Sequence, residues 1–121
     1  FIEPRPFPDD HRLMARACHA AALQGAVRIY CEGMFRAVFV DHESIDDGVC
    51  SWIASRLGLD VARFRNDASS CAVNISVTET ARRAFDIGAF GVPTLFVEGK
   101  MFWGNDRLVL LEHYIASRSR I

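Results

Sequence analysis

The chain has 121 residues, of which 50% are hydrophobic, and its 14 basic and 15 acidic side chains leave a formal net charge of −1. This length accommodates one domain or part of one, with enough apolar residues for a core. The charge balance excludes a global basic field for nucleic acid, and no apolar run approaches the roughly 20 residues that span a bilayer, so we expect neither as a partner.

The N-terminal third is predicted to form two helices after an extended lead-in. Residues 1–8 contain three prolines, which favour extended chain over helix. Asp9 or Asp10 can cap the helix that follows, whose apolar residues recur at helical spacing over residues 13–22. A Gln-Gly pair breaks that pattern, and bulkier apolar residues predict a second helix over residues 27–39.

An acidic connection at residues 41–47 separates these helices from the next one. It contains His42, and we interpret it as a solvated loop rather than a metal site, because one histidine beside carboxylates is a weak ligand pattern. Ser44 or Asp46 is predicted to cap the third helix, and Gly58 fits its C-terminal end.

Two further helices are predicted before the chain turns to strands. The first is short, begins at Leu59-Asp60 and runs through Phe64. Ser69 or Ser70 opens the second, a longer helix that leads into the C-terminal part of the chain.

The four cysteines lie within helical patterns, and they are Cys18, Cys31, Cys50 and Cys71. No two of them have C-x-x-C spacing, which excludes a redox dithiol of that type and a zinc knuckle. We interpret them as buried apolar residues of a cytoplasmic protein, with a disulfide framework as the alternative. No metal site is predicted.

A β-hairpin is predicted after the long helix. Pro93 cannot donate to a sheet ladder, so it is placed at the start of a strand over residues 94–97. A polar turn at residues 98–100 leads to a second strand at residues 101–103. The first strand is apolar at successive positions, which is typical of a strand covered on both faces. Because a two-stranded hairpin is not stable alone, we expect it to need partner strands.

Two features of this region can carry chemistry. Pro93 is a candidate cis-proline, and a cis bond would turn the backbone groups of Val92 outward toward an extended, peptide-like ligand. Gly104 then opens a helix with Asn105 or Asp106 as its capping oxygen, which places free N–H groups beside a carboxylate. Such a pair suits the carboxylate and ammonium of an amino acid head. A hairpin followed by an ordinary capped helix is the alternative.

The Phe-Gly-Val-Pro-Thr motif at residues 90–94 and the Trp-Gly-Asn-Asp-Arg-Leu motif at residues 103–108 resemble the C-terminal signature of the 2-hydroxychromene-2-carboxylate isomerase family. That family is close to the kappa-class glutathione transferases and more distantly related to DsbA-type oxidoreductases. The resemblance implies an α/β, thioredoxin-like fold with an inserted helical domain. It divides the chain into an extended lead-in (1–8), a helical insertion with its linking helix (9–87), and a C-terminal hairpin and helix (88–121).

In that family a strand–helix–strand unit precedes the helical insertion, and a catalytic serine ends its first strand. No segment of this mostly helical chain matches that unit. The resemblance therefore implies the C-terminal part of a longer domain, with the catalytic serine upstream of Phe1. No catalytic residue is predicted within the chain, and we expect the chain by itself to be inactive.

The resemblance assigns half of a glutathione site to six residues: Val92, Pro93, Trp103, Gly104, Asn105 and Asp106. On this interpretation the backbone of Val92 binds the cysteinyl part of glutathione. Asn105 and Asp106 hold the γ-glutamyl head through the helix N-terminus and a charge-assisted hydrogen bond. Trp103 and Phe102 border the pocket or form its floor.

The implied function is the reversible conversion of 2-hydroxychromene-2-carboxylate to o-hydroxybenzylidenepyruvate in aromatic degradation, with glutathione as the cofactor and a homodimer as the complete form. Arg12 and Arg16 are candidates for binding the carboxylate of the small aromatic substrate, but the pattern favours solvated helix arginines over that role. Two other functions stay open. One is another glutathione transferase or DsbA-like thiol-disulfide oxidoreductase, and the other is a non-catalytic helical binding module.

Overall fold

The computed structural model describes residues 12–119, so the predicted lead-in at residues 1–8 and the caps Asp9 and Asp10 lie outside the described residues. The chain divides into two compact units between Thr80 and Ala81, here called the helical unit and the hairpin unit. No helix within residues 12–119 is long and apolar enough to cross a membrane. The elements are α1 (Leu13–Ala22), α2 (Val27–Phe39), α3 (Asp47–Arg56), α4 (Val61–Ala68), α5 (Cys71–Asp86), β1 (Thr94–Val97), β2 (Lys100–Trp103) and α6 (Leu108–Arg118).

The helical unit packs α1 to α4 around one hydrophobic core. On α1 the small residues Ala17, Ala20 and Ala21 are completely buried, so neighbouring helices can approach its backbone closely. The two largest fully buried side chains are Tyr30 and Phe64, whose ring centroids lie 5.3 Å apart in a tilted arrangement. Fully burying a side chain of this size contributes about 1.5–3 kcal/mol, so these rings are major contributors to the stability of the unit.

Side-chain caps begin three of the helices. Asp46 and Ser70 are predicted at these positions, and the third cap, Asp60, lies where the sequence predicts a helix to begin. The oxygens that accept backbone N–H groups are those of Asp46 from Val49 (2.8 Å), Asp60 from Arg63 (2.9 Å) and Ser70 from Val73 (3.1 Å). Gly58 follows α3 with a φ of 74°, a left-handed conformation that suits a helix end. The helix predicted to run through Phe64 continues to Ala68, because Phe64 is an interior core residue of α4 and not its last turn.

In the hairpin unit β1 and β2 are antiparallel, with Thr94 opposite Trp103 and Val97 opposite Lys100. The predicted turn over residues 98–100 is one residue too long, because Lys100 already pairs with Val97 in the hairpin. Glu98 and Gly99 form a two-residue turn with φ values of 48° and 78°. Positive φ at both central positions is typical of a type I′ hairpin turn, which matches the twist of the strands.

The hairpin unit buries little of its own apolar surface. Among its described residues only Leu111 is buried, and all four residues of β1 are half-buried. Phe85 is 77% exposed and Phe90 is 67% exposed. The sequence of β1 predicts a strand that is buried on both faces. The described residues do not bury both faces of β1.

The cysteines are all free thiols, so a disulfide framework is wrong. The interpretation as buried residues is confirmed for Cys50, whereas Cys18 and Cys31 are half-buried. It is wrong for Cys71, which is exposed at the first position of α5.

Candidate functional site

The two sequence motifs of the hairpin unit meet at one end of the hairpin. The register places Trp103 opposite Thr94, so the loop before β1 lies beside the turn after β2. The N–H of Gly104 donates to the carbonyl of Pro93 at 3.0 Å and links the two segments directly. The structure thus brings together the six residues that the sequence assigns to the candidate site.

Gly91 is required by the close approach of Trp103. A Cβ atom at position 91 would lie 2.5 Å from Nε1 of the Trp103 indole, a distance that real Cβ contacts essentially never show. The ring of Phe90 lies 4.9 Å from the Trp103 ring, tilted by 48°. Phe90 is largely exposed and Trp103 is about half exposed, and together the two rings form an aromatic surface beside the loop. Phe90 is a site residue that the sequence analysis did not assign, although it belongs to the motif.

Val92 is highly accessible in this loop, with 92% of its surface exposed. The Val92–Pro93 peptide bond is cis, which confirms that part of the prediction. The hydrogen bonds of this loop are made by the residues on either side of Val92. Thr94 Oγ1 donates to the carbonyl of Gly91 at 2.5 Å, and the carbonyl of Pro93 accepts from the N–H of Gly104. The peptide groups of Val92 bond to no other described residue, so they are free to pair with a ligand.

The predicted capping role of Asn105 and Asp106 is wrong. A single 3-10 turn, Asn105–Arg107, precedes α6, and neither it nor α6 has a side-chain cap. The position before the turn belongs to Gly104, whose φ of 97° suits a glycine and which has no side chain to accept a hydrogen bond. The polar residues therefore fall inside the turn instead of before it.

This arrangement leaves donors and a carboxylate on the same short turn. The amides of Asn105 and Asp106 head the 3-10 turn, so no carbonyl of the turn precedes them as an acceptor. The Asp106 carboxylate folds back over Gly104, with Oδ1 2.6 Å from the place a Cβ of residue 104 would take. Its Oδ2 lies 3.7 Å from Nε of Arg107, and 77% of the side chain is exposed. Asp106 is therefore accessible to a cationic group.

Phe102 does not belong to this surface. Side chains alternate along a strand, so Phe102 and Trp103 point to opposite faces of β2. The Phe102 ring packs on Tyr114 of α6 with a centroid distance of 5.7 Å. The prediction that Phe102 borders the pocket together with Trp103 is wrong for this reason.

The two arginines considered for substrate binding support the helical unit. Arg12 Nη2 donates to the carbonyl of Asn74 at 2.9 Å and to Thr78 Oγ1 at 2.6 Å. Arg16 Nε donates to the carbonyl of Ala68 at 3.2 Å and also borders a cleft of about 500 Å³. Both side chains therefore join α1 to later helices, and no local sequence pattern predicts these contacts.

No group of three or more His, Cys, Asp or Glu side chains within residues 12–119 is placed to hold a metal ion. The site's chemistry thus rests on backbone N–H and C=O groups, one carboxylate and two aromatic rings. Such a set can bind a zwitterionic, peptide-like molecule, but it contains no nucleophile of its own.

Comparison with known proteins connects this geometry to a family. DSBA-like thioredoxin domains match residues 4–116. The chain is 30% identical over 115 residues to the 2-hydroxychromene-2-carboxylate isomerase of Pseudomonas sp. (strain C18), which is 93% of this chain and 54% of that protein. It is 30% identical over 112 residues to the protein of the same name from Pseudomonas putida, 90% of this chain and 55% of that protein.

The fold is also shared with a solved structure. A selenomethionine form of 2-hydroxychromene-2-carboxylate isomerase superimposes with a TM-score of 0.84 at 28% identity, covering 98% of this chain and 60% of that one. These findings confirm the predicted thioredoxin-like fold class and the family resemblance. The chain spans about half the length of the curated relatives that it matches.

Proposed function

The chain belongs to the DSBA-like thioredoxin domain family, and on that premise we propose that it is part of a glutathione-dependent isomerase. The reaction is the interconversion of 2-hydroxychromene-2-carboxylate and o-hydroxybenzylidenepyruvate. Two relatives named for that isomerase activity, each similar over at least 90% of this chain, support the assignment. The observation that carries it is the hydrogen bond from Gly104 to Pro93, which joins the two halves of the family's signature into one surface.

The residues at that surface fit a γ-glutamyl tripeptide. Val92 offers unpaired peptide groups, which suit the backbone of the cysteinyl part. The amides at the head of the Asn105–Arg107 turn suit the carboxylate of the γ-glutamyl head, and the exposed carboxylate of Asp106 suits its ammonium. Trp103 and Phe90 would cover the apolar side of the bound tripeptide.

Glutathione, when bound, supplies a thiol nucleophile that adds reversibly to a conjugated substrate and thereby permits rotation about the former double bond. The residues of this chain hold and orient the tripeptide, and the one carboxylate at the surface, that of Asp106, is assigned to the γ-glutamyl ammonium. We assign the residue that positions the thiol to a serine upstream of Phe1, as the family resemblance implies. The 121-residue chain is then expected to bind glutathione without turning over the substrate.

Calorimetric titration with glutathione tests the binding half of the proposal. Asp106→Ala should weaken affinity by about ten- to a hundredfold, because a hydrogen bond to a charged group is worth about 1.5–3 kcal/mol. Glu112→Ala removes another exposed carboxylate of the hairpin unit, on α6, and should leave the affinity unchanged.

The ligand cysteinylglycine sharpens the same test, since it lacks the γ-glutamyl head. Its affinity should be weak and equal for the wild type and Asp106→Ala. Equal glutathione affinity in the two proteins would remove Asp106 from the site. Turnover by the 121-residue chain would contradict the assignment of the catalytic residue, because it would place that group among these residues.

A further inference from the structure

Two cysteines of the helical unit have no part in the candidate site. Cys18 lies on α1 and Cys31 on α2, and the thiol of Cys31 donates to the sulfur of Cys18 at 3.4 Å. Both thiols are half-buried. We propose that Cys18 and Cys31 form a dithiol site that small-molecule disulfides oxidise to an intramolecular disulfide, which would join α1 to α2.

The packing of the two helices accounts for this juxtaposition. The fully buried Ala17 and Ala21 flank Cys18 on α1, and small side chains let a neighbouring helix come close. A disulfide needs a sulfur–sulfur distance of about 2.05 Å, so the two sulfurs must approach by a little over 1 Å. Rotation of the two side chains about their Cα–Cβ bonds is the movement that this requires.

The other two cysteines are less suited to the reaction. Cys50 is only 2% exposed, so a reagent disulfide has little access to its sulfur. Cys71 is exposed on α5 and forms no contact with another sulfur among the described residues. Pairing is therefore expected to favour Cys18 and Cys31 over every other combination.

The order of attack follows from the environments of the two sulfurs. Burial raises the pKa of Cys18 to about 12, so Cys18 is not the first nucleophile near neutral pH. Cys31 loses its proton and attacks the reagent disulfide, which forms a mixed disulfide and releases one reagent thiol. Cys18 then gives up its proton and attacks the Cys31 sulfur, which releases the second thiol. Two protein thiols lose two electrons and two protons, and one reagent disulfide becomes two thiols.

The test uses the native chain and hydroxyethyl disulfide, a reagent without a γ-glutamyl group, so that it does not depend on the proposed glutathione site. After reaction the remaining thiols are alkylated, and the chain is digested with trypsin. Cleavage after Arg16, Arg28 and Arg36 places Cys18 and Cys31 on separate peptides, so their disulfide appears as a linked peptide pair in mass spectrometry.

The expected result is a Cys18–Cys31 link on the order of tenfold or more above any other pair, because the two groups are held in contact. The same reaction in urea should distribute links over all four cysteines. Cys71→Ser should keep the link and serves as the matched control, whereas Cys18→Ser should stop at a mixed disulfide on Cys31. A wild-type chain whose Cys18–Cys31 link is no more abundant in native buffer than in urea would overturn the proposal, and so would persistent mixed disulfide on wild-type Cys31.

Discussion

The two units of the chain use the same kind of side chain for opposite purposes. In the helical unit Phe64 is 1% exposed and packs on Tyr30, whereas in the hairpin unit Phe85 is 77% exposed and Phe90 is 67% exposed. Burial of aromatic surface stabilises a fold, but exposed aromatic surface is available to a ligand or another protein surface. The helical unit therefore carries the stability, and the hairpin unit carries the candidate site.

The largest expected difference between the units comes from truncating a phenylalanine in each. Phe64→Ala should lower the free energy of unfolding by about 3–5 kcal/mol, since it leaves a cavity in the core. Phe85→Ala removes a mostly exposed ring and should cost less than about 1 kcal/mol. Urea titration followed by circular dichroism measures both. Equal losses would mean that the hairpin unit has a core that the described residues do not account for.

Alkaline pH should weaken the helical unit through its buried thiols. Burial raises the pKa of Cys50 from 9.0 to about 11 and that of Cys18 from 9.0 to about 12. Above pH 9 the unfolded chain binds fewer protons than the folded one, so stability falls as pH rises, by about 1–2 kcal/mol per thiol at pH 10.5.

Two matched variants assign that loss to its source. Cys50→Ala removes one titrating thiol and should flatten the decline in unfolding free energy between pH 9 and pH 11, the interval between the two pKa values of Cys50. Cys71→Ala removes an exposed thiol and should leave the decline unchanged. A decline of the same slope in Cys50→Ala would contradict the burial of this thiol as its cause.

In the hairpin unit the contact between Gly91 and Trp103 is the most sensitive point. Gly91→Ala places a Cβ against the indole and should cost roughly 1–3 kcal/mol, as overpacking does. The emission of Trp103, recorded in a Trp52→Phe background, should shift because the ring must move. In a Trp103→Ala background the same Gly91→Ala change should cost much less. An undiminished cost there would attribute the effect to the backbone instead of the contact.

The smallest predicted change in unfolding free energy distinguishes Asp60, which caps a helix, from Asp106, the carboxylate of the candidate site. Asp60→Ala should lower the unfolding free energy by about 0.5–2 kcal/mol, because it removes the oxygen that caps α4. Asp106→Ala should change it by less than about 0.5 kcal/mol, because Asp106 caps nothing. Thermal melts of the two variants make the comparison, and a comparable loss for both would restore Asp106 to the role of a helix cap.

In the helical unit, several helix ends can be predicted from local sequence patterns. The caps Asp46, Asp60 and Ser70 follow from residue type and spacing, and the break before α2 follows from a Gln-Gly pair, with Gly25 at a φ of 73°. Long-range contacts lie beyond such rules. The 3.4 Å approach of two sulfurs depends on how α1 packs on α2, and no local pattern encodes that.

In the hairpin unit the strands are predictable but the geometry between them is only partly so. Because side chains alternate along a strand, the sequence already indicates that Phe102 and Trp103 point to opposite faces of β2. The prediction that both border one pocket overlooked this alternation. The short 3-10 turn before α6 was not foreseeable, because Gly104, Asn105 and Asp106 suit a cap and a tight turn equally well. The domain boundary at residues 87–88 stays a prediction, as does the use of glutathione.

The most direct test of the account is a residue-resolved NMR titration of the chain with glutathione, which detects weak binding to half of a site. The account predicts that the amide signals of Val92, Asn105 and Asp106 shift with one common saturation curve while those of α1 to α4 stay in place. Shifts centred on the helical unit, or none at millimolar glutathione, would contradict it.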